Sequence, residues 1–370
     1  MKKLTLLAMA VTASVSAFAA DQFVYFGTYT EPEKSDGIYI ATFDSETGKV
    51  GKPALAAKME RPSFLVIHPS KKYLFAVSEV KEGSVSSFKI DSETGLLTLI
   101  NTLPTQGAHP CHVSTEPYGR CLFIANYTGG STASYAIADD GSISEASFFQ
   151  HTGSSVNERR QEAPHAHSAN AGPNSKFVFV ADLGTDEIVI YKLDSTTAKM
   201  TKHGVAKLKP GSGPRHFAFH PNGTKAYAIN EMGMTVTAFN FDHEAGTLTE
   251  FQTIETIPEK NKSQKGLSTA EVQVHSSGRF LYGSNRGHDT IAAFNIDFSN
   301  GKLTKIGNVS IEGKTPRGFG IDETGSYFFA AGQGSDSVAV FKINEDTGNL
   351  KFTGEKIGVG IPVCVKFLQR

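Results

Sequence analysis

The sequence predicts an all-β protein, a seven-bladed β-propeller whose last blade is closed by strands from the N- and C-terminal ends of the chain. A short strand that ends in an aromatic residue recurs seven times, at intervals of 45, 47, 56, 48, 55 and 47 residues. The aromatic residues are Phe43, Phe88, Tyr135, Tyr191, Phe239, Phe294 and Phe341. A strand–turn–strand pattern lies between them. Four strands in roughly 50 residues, repeated seven times, are typical of propeller blades.

Turns and interleaved strands define each repeat. Residues 44–48, 91–95 and 344–348 follow an aromatic position and run from Asp or Asn to Gly, the residue types that hairpin turns favour. The strand–turn–strand copies span 62–79, 110–127, 166–183, 214–231, 269–286 and 316–333. The seventh copy is divided: residues 362–367 supply its first strand and residues 23–30 its second. This arrangement closes the ring and removes free sheet edges.

Charge and composition argue against nucleic-acid binding and against a division into several domains. The chain of 370 residues carries 36 Lys and Arg against 37 Asp and Glu, a formal net charge of −1. Because there is no excess of positive charge to neutralise phosphates, nucleic-acid binding is not expected. No linker or change of composition divides residues 21–370, which we predict to form a single domain and a monomer.

The first twenty residues have a different character. Two lysines follow Met1, residues 4–20 are apolar or small, and Ala17-Phe18-Ala19 fits the small-residue rule for signal cleavage. We predict a signal peptide over residues 1–20 and a periplasmic or secreted mature protein. An uncleaved membrane anchor is the alternative, but the apolar run is short for a span, and no later stretch approaches the ~18 apolar residues that one requires.

The three cysteines, Cys111, Cys121 and Cys364, cannot form a closed set of disulfides because their number is odd. No CxxC pair or Cys/His cluster indicates zinc. We therefore predict buried free thiols.

Two aligned positions of the repeat predict where a site lies. The first, at the start of the inner strand, reads Ser63, Cys111, His167, Arg215, Ala270, Arg317 and Val363. The second, at the end of the next strand, reads Glu79, Tyr127, Leu183, Glu231, Arg286 and Gln333. Antiparallel pairing brings both positions to one face of the ring, near its axis. A purely structural position would be filled alike in every copy, whereas these carry charged residues in a few copies only.

The charged residues form a coherent chemical set. Glu231 is a candidate general base, and Arg215 and Arg286 are candidate donors to a carboxylate, a phosphate or an oxyanion. His167 is a candidate proton donor. We predict these four residues to be catalytic. The residues predicted to bind substrate or orient the catalytic groups are His165, Asp182, Asn285, Arg317 and Glu79.

Several histidines are also candidates for other roles. His165 and His167 stand two residues apart, on one side of a strand if it is regular, a spacing that also suits a metal. No third ligand is evident nearby, so neither a metal nor another cofactor is predicted. His109, His112 and His216 lie near the same face and are expected to be hydrogen-bonded structural residues.

Five segments together resemble the lactonase family of seven-bladed propellers, which includes the propeller-type 6-phosphogluconolactonases and the fungal-type carboxymuconate-lactonizing enzyme. They are FGTYT at 26–30, PHAHS at 164–168, GPRH at 213–216, NE at 230–231 and SNRGHD at 284–289. The resemblance covers nearly the whole mature chain. It implies a catalytic group of His167, Arg215, Glu231 and Arg286 and no metal requirement.

The leading hypothesis is hydrolysis of a sugar lactone, with a small lactone or an anionic sugar acid as the bound partner. Glu231 would activate water, the two arginines would stabilise the oxyanion, and His167 would protonate the leaving alkoxide. An export signal favours an unphosphorylated lactone, because sugar phosphates are not expected outside the cytoplasm. The alternatives are a cycloisomerase that uses the same residues without water, and a non-catalytic binding propeller.

Overall fold

The computed structural model describes residues 21–370, and within them the chain forms seven antiparallel sheets arranged as the blades of a propeller. Blade 1 takes four strands from the N-terminal end: β1 (Gln22–Thr28), β2 (Gly37–Asp44), β3 (Lys49–Val50) and β4 (Ala54–Lys58). Blade 2 contains β5 (Leu65–Ile67), β6 (Tyr73–Ser78), β7 (Ser84–Ile90) and β8 (Leu97–Pro104). The predicted fold is confirmed. The predicted signal peptide, residues 1–20, lies outside the described residues.

The next three blades have four strands each in simple up-and-down order. Blade 3 contains β9 (Pro110–Thr115), β10 (Cys121–Asn126), β11 (Ser131–Ile137) and β12 (Ile143–Gln150). Blade 4 contains β13 (Ala166–Ala171), β14 (Phe177–Asp182), β15 (Glu187–Asp194) and β16 (Lys199–Lys207). Blade 5 contains β17 (Pro214–Phe219), β18 (Lys225–Asn230), β19 (Thr235–Asp242) and β20 (Thr247–Glu255).

The last two blades lead back to the first. Blade 6 contains β21 (Ser268–Val274), β22 (Phe280–Arg286), β23 (Thr290–Ile296) and β24 (Leu303–Ser310). Blade 7 contains β25 (Pro316–Ile321), β26 (Tyr327–Gly332), β27 (Ser337–Ile343) and β28 (Leu350–Gly358). Short 3₁₀ turns occupy Glu259–Asn261 and Gln333–Ser335. The final strand, β29 (Pro362–Gln369), pairs with β1 as the innermost strand of blade 1, as predicted.

The innermost strands surround the axis. Strands β29, β5, β9, β13, β17, β21 and β25 each contact the next one around the ring. The cores lie between blades, where apolar side chains of neighbouring sheets interdigitate. All seven repeated aromatic residues are buried there, with exposed fractions of 4% or less. Phe43, for example, meets Tyr327, Phe329 and Phe367 edge-on, with ring centroids 5.0–5.8 Å apart.

Turn glycines connect neighbouring blades through buried tyrosines. The hydroxyl of Tyr25 in blade 1 donates to the carbonyl oxygen of Gly95 in blade 2 at 2.6 Å. Tyr282 in blade 6 donates in the same way to Gly348 in blade 7 at 2.9 Å. Both glycines have a left-handed backbone, with φ of 70°, which favours Gly over residues with a side chain. The turn motif therefore shapes the hairpin and also accepts a bond from the adjacent blade.

A β-bulge at the start of the inner strands decides which side chains face the axis. His167 has no partner on β14, because Ala166 pairs with Asp182 and Ser168 with Ala181. The same shift leaves one or two residues unpaired in five other blades: Cys111, Arg215, Ala270 with Glu271, Arg317, and Val363. Such bulges re-aim side chains. The first of the two aligned sequence positions is thus the bulge position of the fold.

Two further predictions concern burial. Cys111, Cys121 and Cys364 are buried free thiols, as predicted, and burial raises the pKa of all three. Within residues 21–370, no helix has both the length and the apolar character needed to cross a bilayer.

Candidate active site at the entry face

Glu231 is the centre of a buried charge cluster. We call the face on which the inner strands begin the entry face. Glu231 follows β18 there, and its backbone N–H donates to the carbonyl oxygen of Gly213 at 2.7 Å. Its Oε2 accepts from Arg215 Nε at 3.0 Å and from Arg286 Nη2 at 2.9 Å. Its Oε1 accepts from Arg160 Nη2 at 2.6 Å. Glu231 is only 4% exposed, so the carboxylate is almost fully enclosed by three guanidiniums.

The two predicted arginines are themselves fixed by backbone carbonyls. Arg215 Nη1 donates to Ala270 O at 2.7 Å, and Arg286 Nη2 donates to Thr269 O at 2.8 Å. Both acceptors lie in β21 of blade 6. Arg215 and Glu231 come from blade 5 and Arg286 from blade 6, so the cluster joins adjacent blades. Arg286 Nε is buried without a hydrogen-bond partner among the described residues.

Arg160 is a functional candidate that the sequence interpretation missed. It lies in the connection between β12 and β13, outside any strand, and its Nη2 also donates to the hydroxyl of Tyr127 at 3.0 Å. Its side chain is 42% exposed, far more than Arg215 or Arg286. The available signal was the aromatic interval of 56 residues, the longest in the chain, which marks an extended connection here.

Electrostatics keep Glu231 ionised. Burial alone would raise its pKa, but Arg286, Arg215 and Arg160 outweigh that effect and lower the pKa to about 2. A carboxylate with such a low pKa is a weak base near neutral pH, because general bases work best when their pKa is close to the working pH. The low pKa disfavours Glu231 as the group that activates water, and that role stays a prediction.

His167 lies beside this cluster as a neutral imidazole. Its Nε2 is 4.0 Å from Glu231 Oε2, and its Nδ1 is 3.4 Å from Cys111 Sγ. Burial, followed by the charge of Arg215, lowers the pKa of His167 well below its ordinary value. A group that is neutral at pH 7 cannot donate its proton in the resting enzyme. In this state His167 is a base, and it can protonate the leaving alkoxide only after it has taken up a proton; that role stays a prediction.

His165 and His167 both contact the Tyr127 ring, but their other partners differ. His165 precedes β13, stacks on Tyr127 with centroids 4.7 Å apart, and donates from Nδ1 to the Tyr127 carbonyl oxygen at 3.0 Å. His167 occupies the bulge and points toward Cys111 and Glu231. The assumption of a regular strand was wrong because of the bulge. Within residues 21–370, no three His, Cys, Asp or Glu side chains are grouped as metal ligands.

Asp182 and Asn285 brace the strand ends behind the cluster. Asp182 accepts from the backbone N–H groups of His165 at 2.8 Å and Gly184 at 3.0 Å, and from His151 Nδ1 at 2.6 Å. Asn285 Nδ2 donates to Thr256 O at 3.3 Å and lies at the same distance from Thr290 Oγ1. Both side chains are buried, and Asn285 Oδ1 has no hydrogen-bond partner among residues 21–370. Asp182 thus positions the His165 segment, and direct substrate contact by either residue stays a prediction.

Glu79 and Arg317 belong to a second group around Tyr29 on the same face. The hydroxyl of Tyr29 lies 2.9 Å from both carboxylate oxygens of Glu79. The guanidinium carbons of Arg61 and Arg317 lie 4.4 and 5.4 Å from the centroid of the Tyr29 ring. The guanidinium of Arg317 has no hydrogen bond to any residue in 21–370 that would occupy its donors. It is therefore available to an anionic ligand.

Guanidiniums outnumber carboxylates within these two groups. Five guanidiniums, those of Arg61, Arg160, Arg215, Arg286 and Arg317, face the carboxylates of Glu79 and Glu231. With His167 neutral, positive charge is in excess. Such a site can hold an anion and can stabilise negative charge that develops during a reaction.

Known proteins share this architecture. The family model "Lactonase, 7-bladed beta-propeller" matches residues 23–367. A 6-phosphogluconolactonase of Bacillus subtilis is 35% identical over 348 residues, which cover 94% of this chain and 98% of the relative. The solved structure of a Pseudomonas aeruginosa periplasmic gluconolactonase has a TM-score of 0.88 and 30% identity, and the match covers 94% and 99% of the two chains. The chain belongs to the lactonase family of seven-bladed β-propellers.

Proposed function

We propose that this lactonase-family enzyme hydrolyses a sugar lactone, without a metal ion, at the entry face. The observation that supports this most strongly is a neutral, buried His167 whose Nε2 lies 4.0 Å from a carboxylate held by three guanidiniums. The arrangement combines a base with preorganised positive charge, which is what attack of water on an ester carbonyl requires.

In the proposed mechanism, His167 moves a proton in two directions. Neutral His167 takes a proton from water as the water oxygen bonds to the lactone carbonyl carbon. The imidazolium that forms is stabilised by the adjacent carboxylate of Glu231. It then returns the proton to the ring oxygen as the acyl–oxygen bond breaks, and the product is a hydroxy acid. One residue thereby serves as base and then as acid.

The guanidiniums stabilise the tetrahedral oxyanion in this mechanism. Glu231 and the β21 carbonyls occupy Nε and Nη1 of Arg215 and Nη2 of Arg286. The remaining donors of both side chains can face the developing charge, and loss of one such donor typically costs about 10²–10³ in kcat. Glu231 acts mainly by holding the arginines in place.

We further propose that the substrate is an unphosphorylated sugar lactone, hydrolysed outside the cytoplasm. The predicted signal peptide and the likeness to a periplasmic gluconolactonase support this proposal. Arg317 and Arg61 would then bind the sugar hydroxyls or the carboxylate of the product. Because one relative is a 6-phosphogluconolactonase, the test must compare the unphosphorylated lactone with its 6-phosphate.

A lactone panel in ¹⁸O-labelled water tests both parts of the proposal. Initial rates above the spontaneous background are expected for gluconolactone, with a kcat/KM at least tenfold higher than for its 6-phosphate. One ¹⁸O atom per product carboxylate is expected, because hydrolysis takes its oxygen from solvent. A faster rate with the phosphate would refute the substrate assignment. Product without label would instead establish the cycloisomerase.

Substitution of Arg160 tests whether the connection between β12 and β13 contributes to the site. Arg160→Met removes the bonds to Glu231 Oε1 and to the Tyr127 hydroxyl, and we expect kcat/KM to fall about tenfold or more, as for a lost charge-assisted hydrogen bond. Steady-state kinetics on the best lactone measures this. Arg159→Met is the matched control, because Arg159 is exposed in the same connection. Equal rates for the two variants would remove Arg160 from the site.

A further inference from the structure

Three aromatic rings close the axial channel below the candidate active site. Phe64, His112 and His216 come from blades 2, 3 and 5, and their ring centroids lie 4.5, 5.3 and 5.4 Å apart. All three are buried. On the side of the entry face, the His216 ring lies 5.5 Å from the His167 ring. We call these three residues the septum.

On the other side of the septum is a second chamber. It is a cavity of about 430 Å³, lined by the septum and by the ends of the inner strands. Because the inner strands begin at the entry face, their ends lie at the opposite face. Residues that line the far part of the cavity include Val66, Ser114, Asn170, Gln273, Ile321 and Phe367. The septum therefore divides the channel into two compartments.

The second chamber contains an unpaired carboxylate oxygen. Glu271, 7% exposed, accepts through Oε1 from its neighbour's backbone N–H at 3.2 Å, and the same oxygen lies 3.1 Å from His216 Nδ1. Oε2 has no hydrogen bond to any residue in 21–370. His216 Nε2 is buried and likewise has no partner among those residues. A buried ring nitrogen in this condition is uncommon and needs an explanation.

An unpaired ammonium lies in the same chamber. Lys366, on β29, lines the cavity and is half-buried. Its Nζ lies 4.8 Å from the ring centroid of Phe64, with no hydrogen bond or ion pair to any residue in 21–370. An ammonium and a carboxylate that are each left without a full set of partners inside one cavity are complementary to a ligand with both an acidic group and hydrogen-bond donors.

We propose that this chamber is a second binding site, specific for a small hydroxy carboxylate. The ligand's carboxylate pairs with Lys366, and its hydroxyl groups donate to Glu271 Oε2. The Phe64 face already carries the lysine ammonium, and the other phenylalanines of the lining, Phe217, Phe219 and Phe367, can contact the carbon chain of the ligand. The assignment stands on Lys366 and Glu271 and does not depend on lactone hydrolysis at the entry face.

Gluconate is a suitable probe, measured by isothermal titration calorimetry on the full mature chain. Lys366→Met and Glu271→Gln are each expected to weaken gluconate binding at this site at least tenfold, while kcat/KM for lactones changes less than twofold in Lys366→Met. Arg160→Met, which alters only the entry face, should leave this binding component intact. A crystal structure with gluconate should place its carboxylate at Lys366.

Each other outcome has a defined meaning. Unchanged gluconate affinity in Lys366→Met would overturn the proposal. Tighter binding of serine, a zwitterion, or of sorbitol, a neutral polyol, would overturn the ligand class. Circular dichroism checks folding, and Lys366→Gln replaces Lys366→Met if the latter is unfolded. If wild type bound gluconate in a Lys366-dependent manner but hydrolysed no lactone, the proposed function alone would fail.

Discussion

Replacing Glu231 by Gln is expected to lower kcat/KM for lactone hydrolysis by about 10³-fold, at the upper end of the loss seen for one preorganised electrostatic group. The substitution removes the charge that holds Arg160, Arg215 and Arg286 in place and that stabilises the His167 imidazolium. The fold should survive, because Arg160, with 42% of its side chain exposed, can turn toward solvent. Initial rates and circular dichroism measure the two effects separately.

Glu79→Gln is the matched control on the same face. Glu79 is also a carboxylate at the entry face, but its oxygens contact the Tyr29 hydroxyl rather than the arginine cluster. We expect its effect on kcat to be less than tenfold. Glu231→Gln with wild-type activity, or a Glu79→Gln loss as large as that of Glu231→Gln, would contradict the assignment of Glu231.

Replacing His167 by Asn is expected to reduce kcat by about 10³- to 10⁴-fold with little change in KM, as for loss of a general base. The pH dependence provides a second measurement. The pKa of His167 lies well below 6.5 because burial and Arg215 disfavour its charged form. The active, neutral form therefore persists as pH falls past 6.5, and the wild-type rate should decline only at lower pH. His167→Asn should lack that decline.

His165→Asn serves as the control for His167. His165 lies two residues away and stacks on Tyr127, but it does not contact Glu231. Its replacement should alter KM more than kcat and should keep the acid limb of the pH profile. A wild-type acid limb centred near pH 6.5, the ordinary value for histidine, would show that His167 is not the titrating base.

The sequence predicted the ring and the four central residues because both depend on the repeat. Aligned copies place the start of each inner strand beside the end of the next strand, and this alone brings Arg215 to Glu231 and Arg286 to the same carboxylate. Arg160 could not be found in this way, because it belongs to a connection with no counterpart in the other repeats. Only the long interval marked that connection.

The sequence alone could not predict which groups carry protons or where a strand is irregular. The sequence assigned His167 a role in proton transfer, whereas its neutral resting state follows from burial beside Arg215, which lowers its pKa. The bulge was also unforeseen; it leaves Arg215 without a partner on β18, whereas the next residue, His216, lines the second chamber. His112 and His216, expected to be hydrogen-bonded structural residues, do pack against each other, but His216 Nε2 has no hydrogen-bond partner among residues 21–370.

The pairing of β1 with β29 sets the order in which the protein can be completed. β1 ends at Thr28 and β29 begins at Pro362. One edge of β1 therefore has no partner strand until β29 has been synthesised. At ribosomal rates of roughly 5–20 residues per second, about 330 residues take on the order of 20 to 70 s. Throughout that time the edge of β1 is available to any other extended chain. A ring closed by its two ends therefore keeps one edge of β1 unpaired until the last strand is in place, and loss of its last nine residues would leave that edge open permanently.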